Sequence, residues 1–471
     1  MLFHTWPFLL FLLLVLPVFY SLRKTPLWLP WLTAASYFFY AWSNPYSLLV
    51  VLYITAFDFI LVARMDRSPA ESRGRGIWLV IALVGNLSPL LFFKYARFVA
   101  QNLNALFSCL HVAVGLPDPS RLMPFGVPYL LPVGISFFTF QSLSYIIDVY
   151  LGKTPRERNL LRFANFVCFF PQVMAGPIER AGHLLPQFRQ FPAIRLRNIT
   201  DGLSLFLVGL FKKLALASYL SLYVDRVYDN PNVCGAPELI LATIAFAWQI
   251  YFDFSGYTDM ARGVAELMGF HLVWNFNNPY LATGLGDFWR RWHISFSRWI
   301  LDYIFMPLQM FWREWRFAGT AAALVITFLV CGIWHGAAWT FVIWGALHGV
   351  GLAATYQLER SVWYRRRVPN VLKQAGVFAY VCFTWIFFRA NSLNDALLII
   401  RRIFTAAWQD PQVPALMLGM VCLVWLYQYL YESRWRAILE TSLARVGLAA
   451  LMALSLCLCS SGGGSFIYFR F

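Results

Sequence analysis

The stretch FAGTAAALVITFLVCGIWHGAAWTFVIWGALHGVGLAATYQ, residues 317–357, decides the fold class of this chain. It holds two apolar runs, 317–334 and 336–357, each close to the ~20 residues that a helix needs to cross a bilayer. His335 lies between the two runs, and no carboxylate is near it in the sequence. An ionisable group at that depth is costly in hydrocarbon, so it should face a cavity or a polar partner. The stretch therefore predicts two membrane-spanning helices beside a buried histidine.

The composition also indicates a membrane protein. Of 471 residues, 60% are hydrophobic and only 13% are charged, whereas about a quarter of the residues in a soluble domain are charged. Continuous apolar runs differ from the alternating ~10-residue segments of a membrane β-barrel. We therefore predict an all-α polytopic membrane protein. Further candidate spans are 6–22, 26–43, 46–63, 77–93, 127–149, 201–222, 238–256, 371–389, 414–431 and 441–459.

Basic residues collect in the short loops between these runs. The formal net charge is +16, and loops such as 64–76, 358–370 and 432–440 are rich in Arg. Loops of this kind face the cytoplasm, which places the N-terminus on the opposite side. Lys94 and Arg97 depart from the pattern. The charge is thus a signal of topology, and we expect no nucleic-acid partner.

Two predicted cytoplasmic stretches, 160–191 and 275–310, are too apolar to be plain loops. Both mix Pro, Gly, aromatic and charged residues, and such backbone is tolerated at membrane depth only where protein or a water-filled cavity surrounds it. We predict re-entrant or amphipathic segments there, and an amphipathic helix on the outer face at 391–407. Because no internal repeat or soluble domain is visible, we expect one domain, residues 1–471.

His335 is the strongest candidate for chemistry. Imidazole exchanges protons near neutral pH, as a general base must. The alternative is a histidine that hydrogen-bonds between helices and does nothing else. His348 follows 13 residues later. On one continuous helix over 336–357 the two rings would lie ~20 Å apart, so His348 is expected to pack or to line a tunnel.

A second candidate group is the segment from Asp287 to Ser295, DFWRRWHIS. Asp287 and Arg291 are four residues apart and would share one face of a helix. Arg290 and Arg291 could hold an anionic group such as a cofactor phosphate. The alternative is a positive-inside anchor with an interfacial tryptophan.

Two further polar residues, Asp253 and Gln141, fall in apolar runs. Structural pairing is the favoured reading for both, and lining of the substrate path is the alternative. The scattered cysteines and histidines show no metal-ligand spacing, so we expect no metal site. No motif typical of serine hydrolases, zinc proteases or phosphate-binding loops occurs.

Ordered blocks of sequence resemble those of the membrane-bound O-acyltransferase superfamily, and most closely its bacterial AlgI-like alginate O-acetyltransferase branch. The resemblance spans nearly the whole chain, with a motif core at about 127–390. The blocks are 132–141, 170–178, 251–259, 288–295, 334–336 with 344–349, 385–390 and 466–471.

The resemblance implies a fold and a site. The fold would be a ring of about 11–13 transmembrane helices with re-entrant segments around a central tunnel. His335 matches the family's invariant histidine and would act as general base, and His293 matches its second motif histidine. Expected donors to the oxyanion are Trp292, His293 or a backbone N–H, and Trp334 is expected to line the site.

The resemblance also implies a reaction. We expect transfer of an acyl group, acetyl above all, from a cytoplasmic thioester toward an extracytoplasmic hydroxyl, for O-acetylation of an alginate-type exopolysaccharide. Acetyl-CoA or another thioester would be a co-substrate, and no cofactor would be bound. A periplasmic acetyltransferase would be a partner, and this chain itself would lie in the inner membrane of a bacterium. The alternatives are D-alanyl transfer to an envelope polymer, a non-catalytic transporter of acyl groups or lipid-linked sugars, and a scaffold subunit.

Overall fold

Helices form the regular structure of this chain. A computed structural model describes residues 1–69, 71–123, 127–459 and 466–467, and these ranges contain no β-strand. In chain order the first α-helices are α1 (Trp6–Leu22), α2 (Trp28–Ala41), α3 (Pro45–Arg67), α4 (Arg73–Leu90), α5 (Ala96–Cys109), α6 (Ile135–Tyr150), α7 (Leu160–Cys168), α8 (Ala181–Leu184), α9 (Leu196–Leu210), α10 (Ser218–Tyr228) and α11 (Ala236–Leu267). The remaining ones are α12 (Leu285–Arg291), α13 (Ile294–Ile300), α14 (Met306–Phe311), α15 (Arg316–His335), α16 (Trp339–Arg360), α17 (Val362–Arg367), α18 (Asn370–Arg389), α19 (Leu393–Thr405), α20 (Ala415–Tyr431), α21 (Arg436–Leu439) and α22 (Ser442–Cys459).

The long apolar helices confirm the prediction of an all-α polytopic membrane protein. Within the described ranges, 7 helical stretches are long and apolar enough to cross a membrane. The predicted ring of helices around a tunnel stays a prediction. The seven are Pro45–Arg67, Arg73–Cys109, Leu196–Tyr228, Ala236–Leu267, Arg313–His335, Trp339–Arg360 and Asn370–Arg389, and the shorter apolar helices are Trp6–Leu22, Ala415–Tyr431 and Ser442–Leu458.

Two predicted spans have different limits in the structure. The span predicted at 127–149 is wrong in its first part, because α6 begins only at Ile135. Gly134, with φ 78°, is left-handed and directly precedes the first residue of α6. The span predicted at 77–93 is too short, because α4 continues through the π-helical turn Leu91–Tyr95 into α5. Lys94, which departed from the charge pattern, therefore lies within a helix and not in a loop.

The described helices group into two compact units. The first comprises Met1–Leu203 with Ala261–Val273, and the second comprises Ser204–Met260 with Trp274–Phe471. The expectation of one domain stays a prediction.

Buried polar contacts hold the first unit together. The Asp58 carboxylate on α3 accepts a hydrogen bond from Asn86 Nδ2 on α4 at 2.6 Å and another from the Ser142 hydroxyl on α6. Asn165 on α7 donates to Thr33 Oγ1 on α2 at 2.6 Å. Each polar side chain buried among apolar helices needs such a partner. Residues 163–179, within the predicted irregular stretch 160–191, are buried throughout, as expected of backbone that protein surrounds.

In the second unit, α15 and α16 form a tight antiparallel pair. Gly332 on α15 faces Gly345 on α16, and a Cβ added to Gly345 would lie 3.2 Å from the Gly332 Cα and closer still to the Phe328 carbonyl oxygen. Gly336 is extended, with φ −168°, and ends α15 directly after His335. The helix predicted at 336–357 is therefore wrong at its start, since α16 begins at Trp339.

We expect Gly345→Ala to destabilise the protein. The added methyl group has no space against the α15 backbone, and overpacking of this kind costs about 1–3 kcal/mol. Gly376→Ala on α18 is the matched control, because a Cβ there meets no atom within 4 Å and Ala favours a helix over Gly. Thermal unfolding in detergent, followed by tryptophan fluorescence, should show a lower Tm for the first variant alone. Equal Tm values would contradict the close packing.

Candidate active site

His335 lies at the C-terminal end of α15 inside a cage of aromatic rings. Its imidazole centroid is 4.9 Å from the Trp344 ring on α16 and 5.2 Å from the Phe388 ring on α18. Phe296 on α13 closes a third side at 5.9 Å. The residue keeps 5% of its surface exposed, whereas His293 and His348 are fully buried. His335 is therefore the most accessible of the three histidines in this unit.

His293 occupies the turn between α12 and α13. Its backbone is left-handed, with φ 44°, a conformation that His, Asn and Asp tolerate better than most residues. The imidazole stacks on Phe296 at 4.9 Å and meets the edge of Phe254 at 4.7 Å. Burial lowers its pKa to about 3, so the ring is neutral near pH 7.

Phe296 brings the two histidines into one cage. Its ring contacts His293 on one side and His335 on another, and it stacks on Trp334 at 4.2 Å between ring centroids. The structure thus assembles His293, Trp334 and His335, which the sequence singled out separately. Their catalytic roles stay predictions.

Asn275 holds the His293 turn, and sequence reasoning missed it. Its Oδ1 accepts hydrogen bonds from Ser295 N at 3.2 Å and from Ser295 Oγ at 2.9 Å. Its main-chain oxygen accepts from Ile294 N at 2.9 Å. The side chain is buried, and its Nδ2 has no acceptor among the described residues. The signal in the sequence was slight: an amide in a segment predicted to be buried must find partners.

His348 has a partner at each ring nitrogen. Trp289 Nε1 donates to Nδ1 at 3.3 Å, and Nε2 lies 3.0 Å from Thr384 Oγ1. Since Nδ1 accepts, Nε2 carries the proton and donates to Thr384, whose hydroxyl donates to the Val381 oxygen at 2.8 Å. This complete chain fits the packing role. A role in lining the substrate path stays a prediction.

The expected separation of the histidines was wrong. His335 and His348 lie 4.9 Å and 4.8 Å from the same Trp344 ring, so one indole separates the two imidazoles. The ~20 Å expectation assumed one continuous helix, but the chain reverses at Gly336 and folds α16 back along α15.

The two arginines of the DFWRRWHIS segment, Arg290 and Arg291, differ in exposure and in ion-pair partners. Arg291 Nε contacts Asp287 Oδ1 at 3.1 Å across one face of α12, as the spacing predicted, and Arg291 Nη1 contacts Glu432 at 2.8 Å. The Arg290 side chain is 75% exposed and lies 3.8 Å from Asp287. Arg290 is thus the more accessible cation, and binding of an anionic group by this pair stays a prediction.

Trp292 caps α12 within a neighbouring layer of rings. Its indole stacks on Phe288 at 5.7 Å and lies 5.2 Å from Trp385. Trp385 in turn stacks on Trp344, beside His335, at 5.8 Å. Two rings, Trp385 and Trp344, therefore lie between Trp292 and His335.

Asp253 and Gln141 are buried and paired. Asp253 forms an ion pair with Lys213 and accepts a hydrogen bond from Ile467 N at 2.7 Å. Gln141 belongs to the first unit, where its amide donates to the Phe166 oxygen and accepts from Gln172 Nε2 at 3.2 Å. Both arrangements fit structural pairing, and a role in lining the substrate path stays a prediction for each.

Comparisons with known proteins agree with this architecture. A model of the membrane-bound O-acyltransferase family matches residues 151–394, which include His293 and His335. The helical fold defines a polytopic membrane protein, and the chain belongs to the membrane-bound O-acyltransferase family. It is an O-acyltransferase.

Three relatives show how the similarity is distributed. The chain is 38% identical to the probable alginate O-acetylase AlgI of Pseudomonas aeruginosa, over 85% of this chain and 75% of the relative. It is 33% identical to the peptidoglycan O-acetyltransferase of Helicobacter pylori, over 79% of this chain and 72% of the relative. Identity falls to 28% with the teichoic acid D-alanyltransferase of Bacillus subtilis, over 56% of this chain and 69% of the relative.

We expect Asn275→Ala to lower kcat of acyl transfer by about 10²-fold, because a misplacement of about 1 Å at a reacting group has that cost. Asn275→Asp keeps the Oδ1 acceptor and should retain most activity. Ser295→Ala is the control, because it removes one bond to Asn275 and leaves the Ser295 N bond. Rates from purified protein test this prediction. An effect on KM alone would contradict a role in positioning His293.

We expect the stability of the protein to fall as the pH decreases from about 6.5 toward 3 because of His293. The unfolded chain binds a proton at this residue below pH ~6.5, whereas the folded protein resists it down to about pH 3. The loss is at most about 1.4 kcal/mol per pH unit, and the stabilisation is complete above the unfolded pKa. His293→Asn, which suits the left-handed turn, should show a shallower decline. Parallel Tm–pH curves for the two proteins would contradict the prediction.

Proposed function

We propose that this enzyme transfers an acetyl group from a thioester to a hydroxyl, with His335 as general base. The observation that carries the proposal is the aromatic cage in which Phe296 contacts both His293 and His335. His335 is buried, with 5% of its surface exposed, whereas His293 has none. Family membership favours this reading over a transporter or a scaffold subunit.

The reaction needs one proton to move twice. An imidazole nitrogen of His335 takes the proton of the acceptor hydroxyl as that oxygen attacks the thioester carbonyl carbon. The resulting tetrahedral intermediate carries its charge on the former carbonyl oxygen. When the carbon–sulfur bond breaks, the imidazolium returns the proton to the leaving thiolate. An ester and a thiol result, and His335 is neutral again.

His293 is the better candidate for stabilising the oxyanion. It shares the Phe296 contact with His335, whereas the Trp385 and Trp344 rings lie between Trp292 and His335. With its pKa near 3, His293 carries one N–H and no charge. A preorganised donor of this kind, about 3 Å from the developing oxyanion, is among the largest contributions to catalysis of acyl transfer.

The aromatic rings around His335 also favour transfer over hydrolysis. Trp344 and Phe388 contact the imidazole through carbon edges and faces, and such walls leave little room for ordered water. A water molecule in place of the acceptor hydroxyl would hydrolyse the thioester without acylating the acceptor. Excluding it while holding both reactants is a recognised means of raising the rate of the productive reaction.

The substrates follow from the relatives and the charge pattern. The named O-acetyl-transferring relatives match more of this chain than the D-alanyltransferase does, which supports acetyl over D-alanyl. We infer a cytoplasmic donor, acetyl-CoA or another acyl thioester, and no bound cofactor. The acceptor would be an extracytoplasmic polysaccharide hydroxyl of alginate type, reached with a periplasmic acetyltransferase partner. The chain would lie in the bacterial inner membrane with its N-terminus outside the cytoplasm.

His335→Asn is the variant that tests the assignment. Loss of a general base costs about 10²–10⁴-fold in rate. The transfer of label to the acceptor from acetyl-CoA that is labelled in its acetyl group should therefore fall by that factor in isolated membranes. His111→Asn is the control, because His111 is exposed and its left-handed backbone, φ 55°, accepts Asn. Full activity of His335→Asn with normal folding would overturn the proposal. If label is transferred only from a D-alanyl thioester, the transferred group is D-alanyl and not acetyl.

A further inference from the structure

A basic cleft lies at the end of α15 remote from His335. It has a volume of about 540 Å³ and is formed by α14, the start of α15 and the end of α16. The 20 residues of α15 place the cleft about 28 Å from the histidine at 1.5 Å per residue. The cleft is therefore separate from the site described above, and the inference below does not depend on the proposed reaction.

Three guanidinium groups line this cleft, from Arg313, Arg316 and Arg360. None of the three forms an ion pair with a carboxylate of the described residues, although Glu314 and Glu359 adjoin them in sequence. Arg360 instead lies over the Tyr356 ring, 5.9 Å from its centroid. Three converging cations without an internal counter-ion form a site for an anion, and guanidinium matches phosphate oxygens in bidentate geometry.

Apolar side chains also line the cleft. Met306, Met310 and Phe317 line it, and Phe317 stacks on Tyr356 with ring planes 7° apart. A free inorganic anion would make no favourable contact with these apolar side chains. A ligand that joins a phosphate to a hydrocarbon chain would contact both the arginines and the apolar side chains.

The cleft lies at the ends of two helices that are long and apolar enough to cross a membrane. Arg313–His335 and Trp339–Arg360 are two of the long apolar helices, and the cleft is at the ends of both. Beside it, Phe311 is 79% and Trp315 is 61% exposed. Exposed aromatic side chains at the ends of spanning helices are typical of the headgroup region. The arginine pattern predicts that this end faces the cytoplasm.

We propose that this cleft binds the headgroup of an anionic phospholipid such as phosphatidylglycerol. The phosphate would sit among the guanidinium groups of Arg313, Arg316 and Arg360, and an acyl chain would lie along Met306 and Met310. Basic pockets at helix ends recognise anionic lipids in this way. A zwitterionic lipid is disfavoured because its ammonium group would face the same three cations. The volume suits a ligand of headgroup size.

The decisive measurement is lipid retention by the full-length protein. Nanodiscs of phosphatidylcholine alone and of an equimolar mixture with phosphatidylglycerol would be compared by native mass spectrometry and by Tm. We expect the wild-type protein to retain phosphatidylglycerol selectively and to have a higher Tm in the mixture. Equal retention of the two lipids would overturn the proposal without any variant.

Matched triple variants localise the effect. Replacing Arg313, Arg316 and Arg360 by Gln should weaken retention of phosphatidylglycerol on the order of 100-fold, at about 1 kcal/mol per cation. Replacing Arg365, Arg366 and Arg367 by Gln removes the same charge from α17, outside the cleft, and should leave retention unchanged. Equal losses in both variants would mean diffuse surface charge and would overturn the site.

Two further arms keep the test decisive. If the cleft triple variant fails to fold, the single variants Arg313→Gln and Arg316→Gln should each weaken retention severalfold. Coenzyme A without an acyl group, added to wild-type nanodiscs, should not displace phosphatidylglycerol. Displacement would assign the cleft to a soluble phosphorylated ligand and overturn the lipid assignment. This outcome is independent of whether His335 is the base.

Discussion

The close packing of α15 against α16 is the constraint on which the second unit depends. Gly332 and Gly345 let the two backbones approach without side chains between them. Because the connection 336–338 is so short, the last residue of α15 faces the first turns of α16. That residue is His335, and its imidazole contacts the Trp344 ring on α16. The position of the imidazole thus follows from backbone contact, before any polar interaction contributes.

The buried charges of Lys213 and Asp253 in the second unit are compensated within the protein. The Lys213–Asp253 ion pair is almost fully buried, and Asp253 also accepts the Ile467 N–H. Burying two charges is costly unless each is compensated by its partner and by further hydrogen bonds. His293, by contrast, lies among aromatic rings, and burial lowers the pKa of its imidazole. It therefore adds no net charge to the cage near pH 7.

The sequence predicted the helices well and their ends less well. Apolar runs mark residues in hydrocarbon regardless of tertiary contacts, and the run 6–22 coincides with α1. The start of α6 depends on the left-handed Gly134 and the start of α16 on the extended Gly336 and Ala338, and hydropathy registers neither feature. The motif histidines were recognisable by type and position. Asn275 was not, because its importance lies in a contact with Ser295, 20 residues away.

The left-handed backbone at His293 restricts which amino acids can occupy this position. Most side chains with a Cβ are strained at φ 44°. The fold therefore tolerates few residue types at this position, chiefly Gly, Asn, Asp and His. Of these, His and Asn offer a neutral side-chain N–H donor. The backbone conformation of the turn thus limits the residue types at position 293 independently of any need for an N–H donor. A narrow range of residues here would record the shape of the turn as much as the demands of the reaction.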